Sequence, residues 1–299
     1  MAESSLASDF RCGHVAIVGR PNVGKSTLLN RLVGAKLSIT SKKAQTTRHR
    51  VTGILTTGNA QFVFVDTPGF QTRHRSRLNE RMNRAVRQSL ADVDVVVLVV
   101  EGGRTVPADH SVIELLPSRA GVVAALNKVD ELKDKDALLP QMADLAAKRD
   151  FGAIVPVSAT TGLGVDHLLA EIQKLLPESP PLFGADEITD RDERFLAAEF
   201  VREKIFRLLG EEVPYATTVV IDGFTLDNDL RRIQATVYVE RDNQRGILLG
   251  AGGAKMKEIA TSARVDMERL FGGKVFLEVF VRVKKDWAGS DASLKRLGY

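Results

Sequence analysis

The sequence predicts two domains in series: an α/β domain whose mostly parallel sheet is covered by helices on both faces, then a smaller α+β domain. Three observations predict it. Apolar strand-like runs at 14–18, 61–65, 94–100, 121–126 and 153–157 alternate with helical stretches, as strands joined by helical crossovers do. The run Pro177-Glu178-Ser179-Pro180-Pro181-Leu182-Phe183-Gly184 then breaks any helix, because proline lacks an amide donor and restricts the residue before it. Beyond it the order changes to a helix over 191–209, strands near 216–226 and 231–241, helices around 246–250 and 253–270, and a strand over 274–285. Val275, Leu277, Val279, Val281 and Val283 alternate along that last strand, so one of its faces is core. The expected boundaries are a tail over 1–13, a first domain over 14–176, a linker over 177–190 and a second domain over 191–299.

The 299 residues are 44% apolar, enough for two ordinary cores. The lone cysteine, Cys12, excludes an internal disulfide and fits a reducing cytosol. No apolar run approaches the roughly 20 residues that cross a bilayer, so the expectation is a cytoplasmic protein. His14, His49, His74, His110 and His167 show no ligand spacing. The net charge is +4, but it is unevenly spread. Residues 245–285 hold nine basic side chains against four acidic ones, which predicts a cationic face in the second domain.

The first strand runs into Gly19-Arg20-Pro21-Asn22-Val23-Gly24-Lys25-Ser26 and then a helical pattern from Thr27. This fits G-x-x-x-x-G-K-[ST] in its strand-loop-helix setting. Inward amides of such a loop cradle a β-phosphate, Lys25 bridges β- and γ-oxygens, and Ser26 ligates Mg2+. The second motif, Asp66-Thr67-Pro68-Gly69, ends the run at 61–65 with a carboxylate placed to hold Mg2+ through water, while Gly69 offers its amide to the γ-phosphate. Between them, Lys42-Lys43-Ala44-Gln45-Thr46-Thr47-Arg48-His49-Arg50 carries hydroxyls, of which Thr47 is the expected magnesium ligand; a solvated basic loop is the competing reading. Next, Asn127, Lys128 and Asp130 follow an apolar run. A carboxylate in the base plane accepts two hydrogen bonds that guanine offers and adenine does not, so Asp130 selects GTP over ATP and disfavours an ATP-driven kinase. Ser158 and Ala159, after the last strand, supply a backbone amide near guanine O6. In the second domain Gly250-Ala251-Gly252-Gly253 joins two helices, and small residues there let a nucleic acid backbone approach helix amides, with Lys255 and Lys257 as the nearby charges.

These motifs, in this order, resemble those of translation-factor-related GTPases, and Gln45-Thr46-Thr47-Arg48-His49 is similar to the Era family in particular. The resemblance extends to the G-x-x-G loop and the ending Leu294-Lys295-Arg296-Leu297-Gly298-Tyr299, so it covers nearly the whole chain. It implies a P-loop GTPase domain followed by a bacterial-type KH domain. It implies a GTP/GDP switch that binds the 3′ end of 16S ribosomal RNA and assists 30S subunit maturation, with peripheral inner-membrane contact, no DNA partner and a monomeric state. The alternative is a membrane-associated signalling GTPase whose second domain binds a protein. Phe70 stands where small signalling GTPases carry a water-orienting glutamine. This resembles GTPases that use K+ held by a phosphate-loop asparagine, here Asn22; the other reading of Asn22 is that it satisfies loop amides. The expected catalytic set is thus Asn22, Lys25, Thr47 and Gly69. The cations Arg73, His74, Arg75, Arg77, Arg81, Arg84 and Arg87 read first as a solvated face.

Overall fold

The computed structural model describes residues 9–41, 43, 45–70, 77–210, 212–288, 294 and 297. Arg73, His74 and Arg75 lie outside the described residues, as do most of the residues of the C-terminal ending. The chain divides into two compact units, one drawn from within 1–38, 47–74 and 82–190, the other from within 39–46, 75–81 and 191–299.

The first unit is a six-stranded sheet. Its strands are β1 (Arg11–Val18), β2 (Val51–Thr56), β3 (Ala60–Asp66), β4 (Val95–Glu101), β5 (Gly121–Asn127) and β6 (Ala153–Pro156). Their spatial order is β2-β3-β1-β4-β5-β6, and every pair is parallel except β2 with β3. The helices are α1 (Lys25–Val33), α2 (Arg77–Ala91), α3 (Pro107–Ile113), α4 (Leu138–Lys148) and α5 (Val165–Leu175). One face of the sheet packs Ala16, Val18, Val96, Leu98 and Val100 against Val86, Leu90, Val112, Ile113 and Leu145 of α2, α3 and α4. Helix α1 lies against β2 and β3, and α5 against β4, β5 and β6. Strands buried on both faces explain why 95–100 is an unbroken valine-leucine run rather than an alternation.

The second unit contains α6 (Glu193–Leu208), α7 (Glu212–Tyr215), β7 (Thr218–Asp227), β8 (Leu230–Val239), α8 (Asp242–Leu249), α9 (Ala254–Phe271) and β9 (Lys274–Val283). The sheet order is β7-β8-β9, antiparallel then parallel. Asp192 caps α6 by accepting from the Phe195 amide at 2.8 Å. Phe200, Ile205, Ile233, Val237, Ile259 and Met267 form the centre of its core. Each such side chain contributes about 1.5–3 kcal/mol by leaving water. Trp287 is fully buried and donates its indole N–H to the Ala216 carbonyl.

Several elements depart from the sequence expectation. β1 begins at Arg11, inside the tail expected over 1–13, the sequence pattern announces neither strand β2 nor the short α7, and α8 starts at Asp242 rather than near 246. For β2 and α8 the reasons are local. Gly53 interrupts the β pattern of β2 because a Cβ there would lie 2.8 Å from Leu29 and Val33 of α1. In α8 the Gln244 side chain accepts from the Glu240 and Arg241 amides and so begins the helix early.

Candidate functional site

Four parallel strands of the first unit end at one sheet edge, where Gly19, Asp66, Asn127 and, after β6, Ser158 follow or close them. That is the edge at which open α/β sheets bind ligands. The phosphate loop there leads into α1, whose N-cap is Gly24 at φ 97°, with no side-chain cap and no acidic residue in the first turn. The helix amides therefore stay available for an anion. A side chain at Gly24 would be excluded twice, by the left-handed backbone and by Asn127 Nδ2, 2.2 Å from where its Cβ would sit.

Lys25 is buried and donates from Nζ to the Arg20 carbonyl at 2.9 Å. Burial pulls its ammonium from the usual 10.5 down to about 8, against the opposing attraction of Asp66. Asp66 is fully buried, and burial pushes its carboxyl up while bonds from Ser38 and Ser26 and the Lys25 charge oppose that. Its Oδ2 accepts from Ser26 at 2.7 Å, from Ser38 at 2.6 Å and from Thr47 at 3.4 Å. The Ser26 and Thr47 hydroxyls are 2.8 Å apart. Asp66 Oδ1 is buried without a hydrogen-bond partner among the described residues.

This donor set fits Mg2+. An octahedral ion at about 2.0–2.1 Å from its ligands sets neighbouring oxygens about 2.9 Å apart, close to the Ser26–Thr47 separation. The orphaned Oδ1 is the kind of costly acceptor that a metal or its water satisfies. Ser38, which sequence reasoning missed, is held in place by Asn30. The Asn30 carboxamide accepts from the Leu37 and Ser38 amides and donates to the Ser38 carbonyl.

At the base-reading end, Asn127 Nδ2 donates to the Val23 carbonyl at 2.8 Å and its Oδ1 accepts from the Ala159 amide at 2.9 Å. One side chain thus ties the phosphate loop to the loop after β6. Lys128 sits at φ 66°, which turns the chain so that Asp130 follows on a short 3-10 turn with its side chain exposed. Gly69 lies against the phosphate loop, since a Cβ there would be 2.9 Å from the Pro21 backbone. Thr67 is buried and donates to the Ile17 carbonyl, so it serves the fold. Phe70 is half-buried against the core of α2, α3 and α4, and its ring offers the site no water-orienting polar group. Asn22 is exposed at φ 65° and makes no hydrogen bond among the described residues, so it does not satisfy loop amides.

In the second unit, Gly250 to Gly253 form the turn between α8 and α9. Gly252 and Gly253 have φ of 58° and 81°, and among the described residues nothing lies within 4 Å of a Cβ placed on either. Backbone is therefore open to approach ahead of α9. Ala251 is exposed. The two nearby lysines differ: Lys255 Nζ binds Glu258 at 2.7 Å, whereas Lys257 is exposed and makes no ion pair among the described residues.

Comparison with known proteins bears on both units. The family described as 50S ribosome-binding GTPase matches residues 14–128, and that described as KH domain matches 212–288. The chain is 56% identical to GTPase Era of Nitrosomonas eutropha, over 98% of this chain and 99% of that one. It is 55% identical to GTPase Era of Bordetella avium, over 97% and 98%. Two solved structures superpose with a TM-score of 0.92 at 38% identity, each covering 97% of this chain and 99% of its own. One is a variant of Aquifex aeolicus Era bound to GDP and AlF4-. The other is Era in complex with MgGDPNP and nucleotides 1506–1542 of 16S ribosomal RNA.

Proposed function

The chain belongs to the Era family of GTPases, and on that premise we propose that it is a magnesium-dependent GTP switch that binds the 3′ end of 16S ribosomal RNA and assists 30S subunit assembly. The observation that carries the switch is the meeting of Ser26 and Thr47 on the buried Asp66 carboxylate. Ser26 and Thr47 would ligate Mg2+ directly, and Asp66 would hold it through water. Bound there, the ion neutralises charge on the β- and γ-phosphates. With Thr47 as a magnesium ligand, the γ-phosphate state would be felt along its segment, residues 39–47. Of these, 39–46 belong to the second unit, in which Thr40 donates to Glu203 and Lys43 caps the α6 carbonyls of Phe206 and Leu209.

In this reading Lys25 binds the β- and γ-oxygens, Gly69 donates its amide to the γ-phosphate, and the α1 amides hold the β-phosphate. Asp130 accepts from guanine, with Asn127, Lys128, Ser158 and Ala159 framing the base. Phe70 stands where a water-orienting glutamine would be. Asn22, exposed and uncommitted, would instead hold K+ against the phosphates, supplying transition-state charge as an arginine finger does. Turnover in KCl should exceed turnover in NaCl at equal ionic strength by about tenfold or more, and equal rates would remove K+ from the mechanism.

The RNA reading rests on the family, the KH match and the open turn at Gly250–Gly253. Its test is binding of an RNA copy of the 16S 3′ end to the full chain loaded with GDPNP or GDP. The GDPNP form should bind at least about fivefold tighter, and by linkage the RNA must then favour GDPNP over GDP by the same factor. Equal affinity in both states would sink the switch.

A further inference from the structure

Glu101 closes β4 at the same sheet edge as the phosphate loop, yet it belongs to none of the nucleotide-binding motifs. Its Oε2 accepts from Arg20 Nη2 at 2.8 Å and lies 3.5 Å from Lys128 Nζ. One carboxylate oxygen therefore touches both an arginine of the phosphate loop and the lysine of the base-reading segment. Arg20 is also held from its other side: its Nε donates to Asp109 Oδ1 at 3.1 Å. Asp109 is nearly inaccessible, and its second oxygen is fixed by the Val106 amide at 3.0 Å.

The supports beneath Glu101 are equally defined. Gln141 donates to the Glu101 carbonyl at 2.9 Å and accepts from the Gly103 amide at 2.7 Å, while the Gly102 amide donates to the Asn127 carbonyl. Burial opposes ionisation of Glu101, but Arg20 and Lys128 outweigh it and hold its carboxyl below the usual range. An exposed ion pair is worth little, because water screens it and two long side chains must be ordered. Here the acceptor's backbone is pinned and the guanidinium forks onto two carboxylates, so much of that ordering is done in advance. The Arg20 carbonyl also accepts from the Lys25 ammonium at 2.9 Å.

We propose that Glu101 is a positioning residue for guanine nucleotide binding: its carboxylate holds Arg20 of the phosphate loop and Lys128 of the base-reading segment together, keeping the two grips on the nucleotide in register. Asp109 supports it by fixing the far side of Arg20. Asn127 links the same two regions through backbone partners, and Glu101 is a second, purely electrostatic tie between them. The proposal rests on residues 19–26 and 127–130 being the GTP site.

The test uses the full chain with Mg2+ and a fluorescent GDP displaced by unlabelled GDP. Glu101→Gln should raise the GDP Kd about two- to fivefold, the scale of a water-screened ion pair, and leave turnover at saturating GTP within about twofold. Arg20→Gln and Lys128→Gln should each weaken GDP binding, and their losses should fall short of adding while Glu101 is present but add once it is glutamine. A side chain that merely stabilised the fold would not couple those two positions. An unchanged Kd, a loss confined to turnover, or additive losses with Glu101 present would each overturn the proposal. Should Glu101→Gln fail to fold, Glu101→Asp, which keeps the charge and shortens the reach, carries the same cycle. Wild-type chain that bound no GDP would instead strike the reading of the site itself.

Discussion

The two candidate sites are built on opposite plans. At the nucleotide end the polar groups are turned inward and already bonded to one another: Ser26, Ser38 and Thr47 converge on Asp66, Lys25 leans on the Arg20 carbonyl, and Asn127 spans two loops. At the glycine turn between α8 and α9, among the described residues, nothing lies near a Cβ placed on Gly252 or Gly253, and Lys257 makes no ion pair. A small ligand of fixed shape rewards preorganised donors in a buried site, because their reorganisation is already done. A flexible single strand needs backbone access and charge that can follow it. The difference teaches that losses should be steep and specific at the first site, shallow and salt-dependent at the second.

The sharpest way to break that contrast is to remove the buried lysine. Lys25→Ala deletes the cation that faces Asp66 and the phosphates, leaving the carboxylate without its nearest opposite charge. GTP turnover should fall by at least about a hundredfold, the scale for removing a preorganised charge from the transition state. Steady-state phosphate release checks it. A loss under tenfold would mean that the inward site is no more demanding than the open one.

Smaller effects are expected at the glycine turn, and they should rank by commitment. Lys257→Glu should weaken binding of the 16S 3′-end RNA about tenfold, and Lys255→Glu less, because Lys255 already shares its charge with Glu258. Filter binding across a salt series reads both. The slope of log affinity against log salt should flatten for Lys257→Glu by about one unit for each phosphate that the protein no longer neutralises. A reversed ranking would show that the Lys255–Glu258 pair opens on binding and that the turn is less ready-made than its geometry suggests.

Legibility in the sequence divides along the same line as the sites. Motifs contiguous in sequence, such as Gly19 to Ser26 and Asn127 to Asp130, were readable because their chemistry is carried by neighbours along the chain. The parallel core was readable from its apolar runs, since strands buried on both faces leave no polar interruption. Strand β2 was not, because Gly53 answers to the packing of α1 and not to a strand's own preference. Ser38, Glu101 and Asp109 were equally silent. Each is an ordinary polar residue whose partner is 28, 81 or 89 positions away, and only the sheet's topology brings them together. Nothing in the local pattern at 250–257 distinguishes Lys255 from Lys257; the distinction is made by Glu258 one helical turn on.

The smallest expected effect is a proton. In the nucleotide-free chain Lys25 titrates near 8, whereas an unfolded lysine titrates near 10.5. Between those values the unfolded chain holds the proton and the folded one does not, so this group makes folding stability rise with pH through that window. Below about pH 8 the lysine is charged in both states and its full cost of burial is present. Phosphate oxygens of a bound nucleotide favour the charged form and push the lysine back up. Binding of GDP above pH 8 should therefore take up a fraction of one proton, rising toward one near pH 9, and none from this group at pH 6. Calorimetric titration in two buffers of different ionisation heat measures the uptake directly. Uptake missing at the buried lysine would mean that the site rearranges around the nucleotide and does not receive it ready-made.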